Sequence, residues 1–312
     1  MKIVFMGTPR AAAESLAALI DAGHDVVAVY TQPDRPAGRG NRLHASAVKE
    51  YAVAHGLPVF QPAKIRTDDA LAEFRSHTAD VAVVVAYGRI LPPAFLNAFP
   101  RGAINVHFSL LPLYRGAAPV NWAIVSGEKT SGVTTMMMDE GLDTGDILLQ
   151  RSVEIGADEN AVELMDRLSS LGAELLVETL RELDTITPKL QDHAAASLAP
   201  IMKKDDGRID FSMTAADVNN RVRGFQPFPT AFTHLHGKRL TIWRSSLLVD
   251  GEPLQPADAG TIVAAKGDEL VIACGGGMFL SVHELQIEGK RRMTTRDFNN
   301  GVKPAVGTLL GT

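Results

Sequence analysis

The chain has 312 residues, enough for two domains, and its 46% hydrophobic and 21% charged residues are ordinary for a soluble globular protein. No apolar run approaches the ~20 residues of a membrane-spanning helix, and a single cysteine, Cys274, excludes an intramolecular disulfide. The net charge of -5 is uneven, with 17 basic against 24 acidic residues in the first 200 and 14 against 12 in the remainder, which permits a polyanionic partner touching only some surfaces. The opening MKIVFMGTPR runs straight into strand-like residues and lacks a signal-peptide layout, so the expected location is the cytoplasm.

In chain order, Lys2–Met6 reads as a short apolar strand, Arg10–Ala22 as a helix and Val26–Thr31 as a second buried strand. A helix over Ser46–His55, a brief strand at Val59-Phe60 and a helix over Thr67–His77 follow. Val81–Ala86 is almost pure Val and Ala, the mark of a strand buried on both faces. Ala103–Val106 is a further strand, Ala117–Ser126 a helix, and Gly132–Met138 and Ile147–Val153 look like paired strands. Glu159–Leu183 is a long amphipathic helix with leucines at helical spacing. This alternation indicates an α/β fold with a doubly wound, mostly parallel sheet, in which ligands bind beyond the carboxyl ends of the strands.

The texture changes after Gln191–Asp206, which reads as a linker of small residues, a proline and charges. A helix near Thr214–Gly224 precedes short alternating runs at 237–248, 260–265, 269–274 and 278–287, divided by Gly-rich turns. They predict a small β-barrel or sandwich. The expected division is a catalytic domain over 1–190, a linker over 191–206 and a β-domain over 207–312.

Asn105-Val106-His107 carries the chemistry. Residues two apart on a strand share a side, so an amide and an imidazole face one pocket at a strand end. The amide can donate to an oxygen gaining charge, and the imidazole exchanges a proton near neutral pH. Asp143, in Gly-Leu-Asp-Thr-Gly-Asp, supplies a carboxylate to orient and charge the imidazole. Each has a plainer reading: Asn105 caps a turn, His107 is a satisfied core histidine, Asp143 is a turn residue. Asp143 with Asp146 makes a poor metal site, since no His or Cys clusters with them, and no metal is expected. Residues 32–43, QPDRPAGRGNRL, form a long Gly/Pro-punctuated loop whose Arg35, Arg39 and Arg42 can fork onto phosphates, or belong to a solvated surface loop. Gly7-Thr8-Pro9 lacks the remaining glycines of a dinucleotide fingerprint. Met136–Met138 reads as core, His234 and His236 as surface residues more than as half a metal site, and Lys290-Arg291-Arg292 as an exposed basic turn that either is solvated or touches a phosphate backbone.

With NVH-x-SLLP-x-Y-RG-x-AP, GLDTGDIL, TQPDRPAGRG, GFQPFP and GKRRM, the chain resembles the methionyl-tRNA formyltransferase family from Lys2 to about Gly301. The resemblance implies 10-formyltetrahydrofolate as co-substrate, contacted by Ser109, Leu110, Leu111 and Pro112 and by the Tyr87-Gly88 edge. It implies Asn105, His107 and Asp143 as catalytic groups and initiator methionyl-tRNA as partner, met by Arg35, Arg39 and Arg42. It also implies an OB-like C-terminal barrel that tracks the tRNA backbone, and a monomer without membrane attachment is expected. Phe108, Leu113, Ala45 and Ala47 depart from the family pattern, and Phe108 is expected to point away from the Asn/His side because strand neighbours alternate.

Overall fold

The structure, a computed structural model, describes residues 1–37, 42–248 and 255–311. Two compact units are present, one of Met1–Pro119, Ser131–Val153 and Met165–Ala199, the other of Val120–Thr130, Glu154–Leu164 and Pro200–Thr312. Residues expected as a linker are therefore built into the first unit as far as Ala199.

In the first part of the chain the elements are β1 (Lys2–Gly7), α1 (Arg10–Asp21), β2 (Asp25–Tyr30), β3 (Arg35–Ala37), β4 (Arg42–His44), α2 (Ala47–Ala54), β5 (Val59–Phe60) and α3 (Asp68–Ser76). There follow β6 (Val81–Val85), α4 (Pro93–Leu96), β7 (Ala103–His107), β8 (Arg115–Gly116), α5 (Pro119–Val125), β9 (Thr130–Met137), β10 (Ile147–Glu154), α6 (Ala161–Glu182) and β11 (Leu198–Ala199). The helices start where the sequence offers caps: Ser46 accepts from the Lys49 amide and Thr67 from the Ala70 amide, and Asp68 and Asp69 fill the first turn of α3.

The seven-stranded sheet has the order β10-β9-β7-β6-β1-β2-β5. From β5 to β7 every pairing is parallel, and β9 joins β7 antiparallel. Strand β6, with every residue buried, lies centrally, as its Val/Ala composition predicts. The chain lays β2 and β5 on one side of β1, then β6 and β7 on the other. The reversal falls between β1 and β6, so the crevice at their carboxyl ends is where such a fold binds ligands.

Alternation along β7 and the residue after it divides two roles. A Cβ on Gly172 of α6 would lie 3.1 Å from Val106 Cγ1 and 3.3 Å from Phe108 Cε1, so both pack against the bare backbone there. Phe108 is 6% exposed and turned to this helix, as its place between His107 and Ser109 predicts.

Later in the chain come α7 (Ala215–Gly224), β12 (Ala231–Leu235), β13 (Lys238–Leu247), β14 (Ile262–Lys266), β15 (Glu269–Ala273), β16 (Phe279–Ile287), β17 (Met293–Thr294) and α8 (Thr295–Val302). The sheet runs β12-β13-β16-β15-β14 with β17 on β16, every pairing antiparallel. Val218 and Val222 of α7 and Phe298 of α8 join Leu240, Ile242, Ile272, Leu280 and Leu285 in one buried cluster. The arrangement is consistent with an OB-like barrel, although β12 and β14 do not pair with each other among the described residues. No helix among the described residues is long and apolar enough to cross a membrane.

The contact at Gly172 gives a stability prediction. Gly172→Val must push Val106 and Phe108 aside and should lower unfolding stability by about 1–3 kcal/mol, read as a fall in the urea midpoint with unchanged slope.

Candidate functional site

Asn105 and His107 end β7 on the side opposite α6. Asn105 Nδ2 donates to the Val84 carbonyl at 3.0 Å, which fixes the orientation of the amide, because a carbonyl only accepts. One Nδ2 hydrogen is left over, and Asn105 Oδ1 is buried without a hydrogen-bond partner among the described residues. His107 Nε2 lies 2.9 Å from the Tyr114 carbonyl, so by the same logic Nε2 carries the proton. The other nitrogen, Nδ1, is 3.7 Å from Asp143 Oδ2, at ion-pair rather than hydrogen-bond distance. That carboxylate oxygen instead accepts from the Gly116 amide at 2.8 Å. The three groups expected from the sequence are thus together, with the Asp143 carboxylate anchored to backbone beside the imidazole.

Backbone strain gathers at the same place. Ala86, Tyr114 and Asp143 have φ values of 45°, 60° and 54°, in the left-handed region that costs a residue bearing a Cβ about 1–3 kcal/mol. Each lies at a strand end or loop bordering Asn105 and His107, and Tyr114 supplies the carbonyl that holds the imidazole. Such conformations persist only where surrounding contacts over-determine them.

The loop between β9 and β10 closes on itself at its near side. Asp139 Oδ1 accepts from the Gly141 amide at 3.0 Å and from Thr144 Oγ1 at 2.6 Å. A Cβ on Gly145 would run into the Met137 carbonyl oxygen, so only glycine fits there. The far side is held by Gln191, a buried residue from the segment read as a linker. Sequence reasoning missed it, because a lone glutamine among small residues carries no pattern.

The expected donor contacts divide by burial. Ser109 and Leu111 are 1% and 3% exposed, and Ser109 Oγ donates to the Leu113 carbonyl at 2.6 Å. Thr134 Oγ1 donates to the Ser109 carbonyl at 2.6 Å and accepts from the Leu111 amide at 3.1 Å. The side chains of Ser109 and Leu111 therefore shape this turn from inside, leaving Leu110, Pro112 and backbone toward its surface. Tyr87 is buried, its hydroxyl lacks a partner among the described residues, and burial raises its pKa. Its carbonyl accepts from Thr8 Oγ1 and Gln32 Nε2, both at 3.1 Å, and Gly88 turns the chain at φ 80°.

Beyond this edge lies a cavity of about 500 Å³ walled by Ile65, Leu71, Ile90, Leu91 and Phe95, with Arg66 and Glu140 among its charged residues. Its lining was not singled out in the sequence. No group of three or more His, Cys, Asp or Glu that could hold a metal ion occurs among the described residues.

The arginine loop is rooted in a hairpin in which β3 and β4 pair from Arg35 with His44 to Ala37 with Arg42. Arg35 is exposed; Arg39 lies outside the described residues, and only the backbone of Arg42 is described. Asp34 accepts from Lys49 Nζ at 2.6 Å and from Gln61 Nε2 at 2.8 Å, which holds its carboxyl below the ordinary range, the Lys49 contact most of all. Gln32 ties this root to the Tyr87 turn, and Gln32 Oε1 accepts from Arg89 Nε at 3.3 Å.

A mostly parallel sheet with an amide, an imidazole and a carboxylate at its carboxyl edge, in a chain with an antiparallel β-domain, has the parts of an acyl-transfer protein. Sequence profiles agree: the formyl transferase profile matches residues 1–180 and the formyl transferase C-terminal domain profile matches 201–303. The chain belongs to the formyl transferase family. Among its relatives, one from Alkaliphilus oremlandii is 47% identical with both chains fully covered, and one from Citrifermentans bemidjiense is 50% identical over all of this chain and 96% of its own. Both are named methionyl-tRNA formyltransferase. Of solved structures, the N-formyltransferase of Helicobacter canadensis, in complex with folinic acid and dTDP-3-aminofucose, superposes with a TM-score of 0.66 at 20% identity, covering 90% of this chain and 98% of its own. Aquifex aeolicus HypX in complex with tetrahydrofolic acid gives 0.62 at 16% identity, covering 98% of this chain and 48% of its own. These likenesses bear on the fold.

The tight turn at Gly145 is testable. Gly145→Ala should displace the 139–146 loop, read as faster amide exchange of that loop with exchange in β1 and β6 unchanged.

Proposed function

We propose that this chain transfers the formyl group of 10-formyltetrahydrofolate to the α-amino group of methionine on initiator methionyl-tRNA, in the cytoplasm, for translation initiation. The observation that carries the reading is the meeting of Asn105, His107 and Asp143 at the carboxyl edge of the sheet. The substrate assignment is supported by full-length relatives of that name.

The residues divide the work by their free atoms. The unused Nδ2 hydrogen of Asn105 donates to the formyl oxygen as it gains negative charge. Asn105 Oδ1, buried and without a partner among the described residues, accepts a hydrogen bond from the attacking amine. His107 keeps its Nε2 hydrogen on the Tyr114 carbonyl, so Nδ1 is the nitrogen that exchanges a proton, with Asp143 Oδ2 3.7 Å from it. The new bond joins the methionine nitrogen to the formyl carbon, and the bond from that carbon to the folate nitrogen breaks. The amine gives up one proton and the departing folate nitrogen takes one up. No covalent intermediate with the protein is needed.

The lining of the first unit supports a folate donor there. The apolar-walled cavity suits an aromatic ring, Arg66 at its lining suits a carboxylate tail, and the Tyr87–Gly88 and Ser109–Pro112 edges offer backbone to a flat polar ring. Arg35, Arg39 and Arg42 are assigned to the phosphates of the tRNA acceptor end, and the mildly basic C-terminal part to its backbone.

The test is formyl transfer from 10-formyltetrahydrofolate to charged initiator tRNA, with elongator methionyl-tRNA and an amino sugar nucleotide as competitors. Formyl-methionine on the initiator is expected; formylation of only the small amine would assign a different acceptor. Asn105→Ala should lower kcat about 100- to 1000-fold. Arg39→Ala should raise the KM for tRNA and reduce its log–log salt slope by about one, with the KM for the folate donor unchanged.

A further inference from the structure

Residues 189–199 return to the site as a strap. Lys189 and Ile147 exchange backbone hydrogen bonds of 2.8 Å, and Leu198–Ala199 lies parallel to Arg115–Gly116 as β11 on β8. Between these two fixed points Gln191 is 5% exposed. Its Nε2 donates to the carbonyls of Asp143, at 2.9 Å, and Gly145, at 2.6 Å. Its Oε1 accepts from Arg115 Nε at 3.1 Å and Nη2 at 2.6 Å. Arg115 is itself buried, 6% exposed, and Nη2 also donates to His193 Nδ1 at 3.1 Å.

The chemistry at each end asks for a carboxamide side chain. A guanidinium only donates and a carbonyl only accepts, so the residue between them must present an acceptor to one and two donors to the other. Glutamine does both. The charge of Arg115 polarises the amide and strengthens its two N–H donors. Their target is the residue with φ 54°, whose conformation is unfavourable without outside restraint. Gly116 adds the second restraint by donating its amide to the Asp143 carboxylate, from the strand that the strap itself pairs with.

We propose, resting on the reading of Asp143 given above, that Gln191 and Arg115 are positioning residues for formyl transfer. Through the two loop carbonyls they hold Asp143 in its left-handed conformation and its carboxylate beside His107 Nδ1. Neither touches substrate; both act through Asp143.

Gln191→Glu separates this role from a merely structural one. It keeps the acceptor for Arg115, and so the buried charge stays paired, but it removes both donors to the loop. The melting temperature should fall by no more than about 3 °C, while kcat falls about 10- to 100-fold and the KM values for tRNA and folate donor stay within about twofold. The deciding measurement is a double-mutant cycle with Asp143→Asn. If Gln191 acts through Asp143, adding Gln191→Glu to Asp143→Asn costs less than about a further twofold. Wild-type kcat in Gln191→Glu, or losses that multiply in the double variant, would overturn the proposal. Wild-type kcat in Asp143→Asn would instead remove the reading of Asp143, a distinct failure.

Discussion

The carbonyl of Tyr114 accepts a hydrogen bond from one nitrogen of His107, and the rest of the site is arranged around that bond. It settles the tautomer, turns the imidazole, and leaves Nδ1 as the atom that meets Asp143. The carbonyl points there because Tyr114 takes a left-handed backbone conformation at φ 60°, which the sequence does not favour for an aromatic residue. Its amide is held by Ser197 Oγ at 2.9 Å, and the following residues pair with Leu198–Ala199. A local cost is met by contacts with residues far along the chain, the expected arrangement where geometry must survive at the expense of comfort.

The sheet supplies the complementary constraint. A strand shows alternate residues to opposite sides, so Val106 and Phe108 press against Gly172 while Asn105 and His107 stay on the other. A helix residue with a side chain at position 172 would drive the two packed residues away and carry the polar pair with them. Packing on one side of β7 and chemistry on the other are therefore one constraint. Asn105 Oδ1, like the Tyr87 hydroxyl, has no hydrogen-bond partner among the described residues. A buried acceptor left open is costly, and a ligand or an ordered water that supplies a hydrogen offsets that cost.

Much of this was legible from the residues. The Val81–Ala86 run declared a strand buried on both faces, the helices over Ser46–His55 and Thr67–His77 were read close to their observed bounds, and the spacing of Asn105 and His107 declared a shared side. The turn of Phe108 away from the Asn105 and His107 side followed from the same period. What was not legible depended on partners distant in sequence. The two-residue strands β8 and β11 are too short to carry periodicity, and α4 is a single turn. Gln191 bonds a loop 48 residues earlier and an arginine 76 residues earlier, so its burial has no local signal. The stretch around it, rich in alanine and flanked by charges, has the composition of a tether and the role of a brace.

The strap also bears on how the chain is divided. The N-terminal family profile ends at residue 180, whereas the compact unit reaches Ala199. A chimera joined at 180 would transplant Asn105, His107 and Asp143 complete and leave behind the amide that steadies the last of them. Recombination that exchanges whole β-domains among relatives would have to cut after the brace rather than before it. The natural module boundary, judged by what must travel together to work, lies about twenty residues further along than likeness of sequence alone would place it.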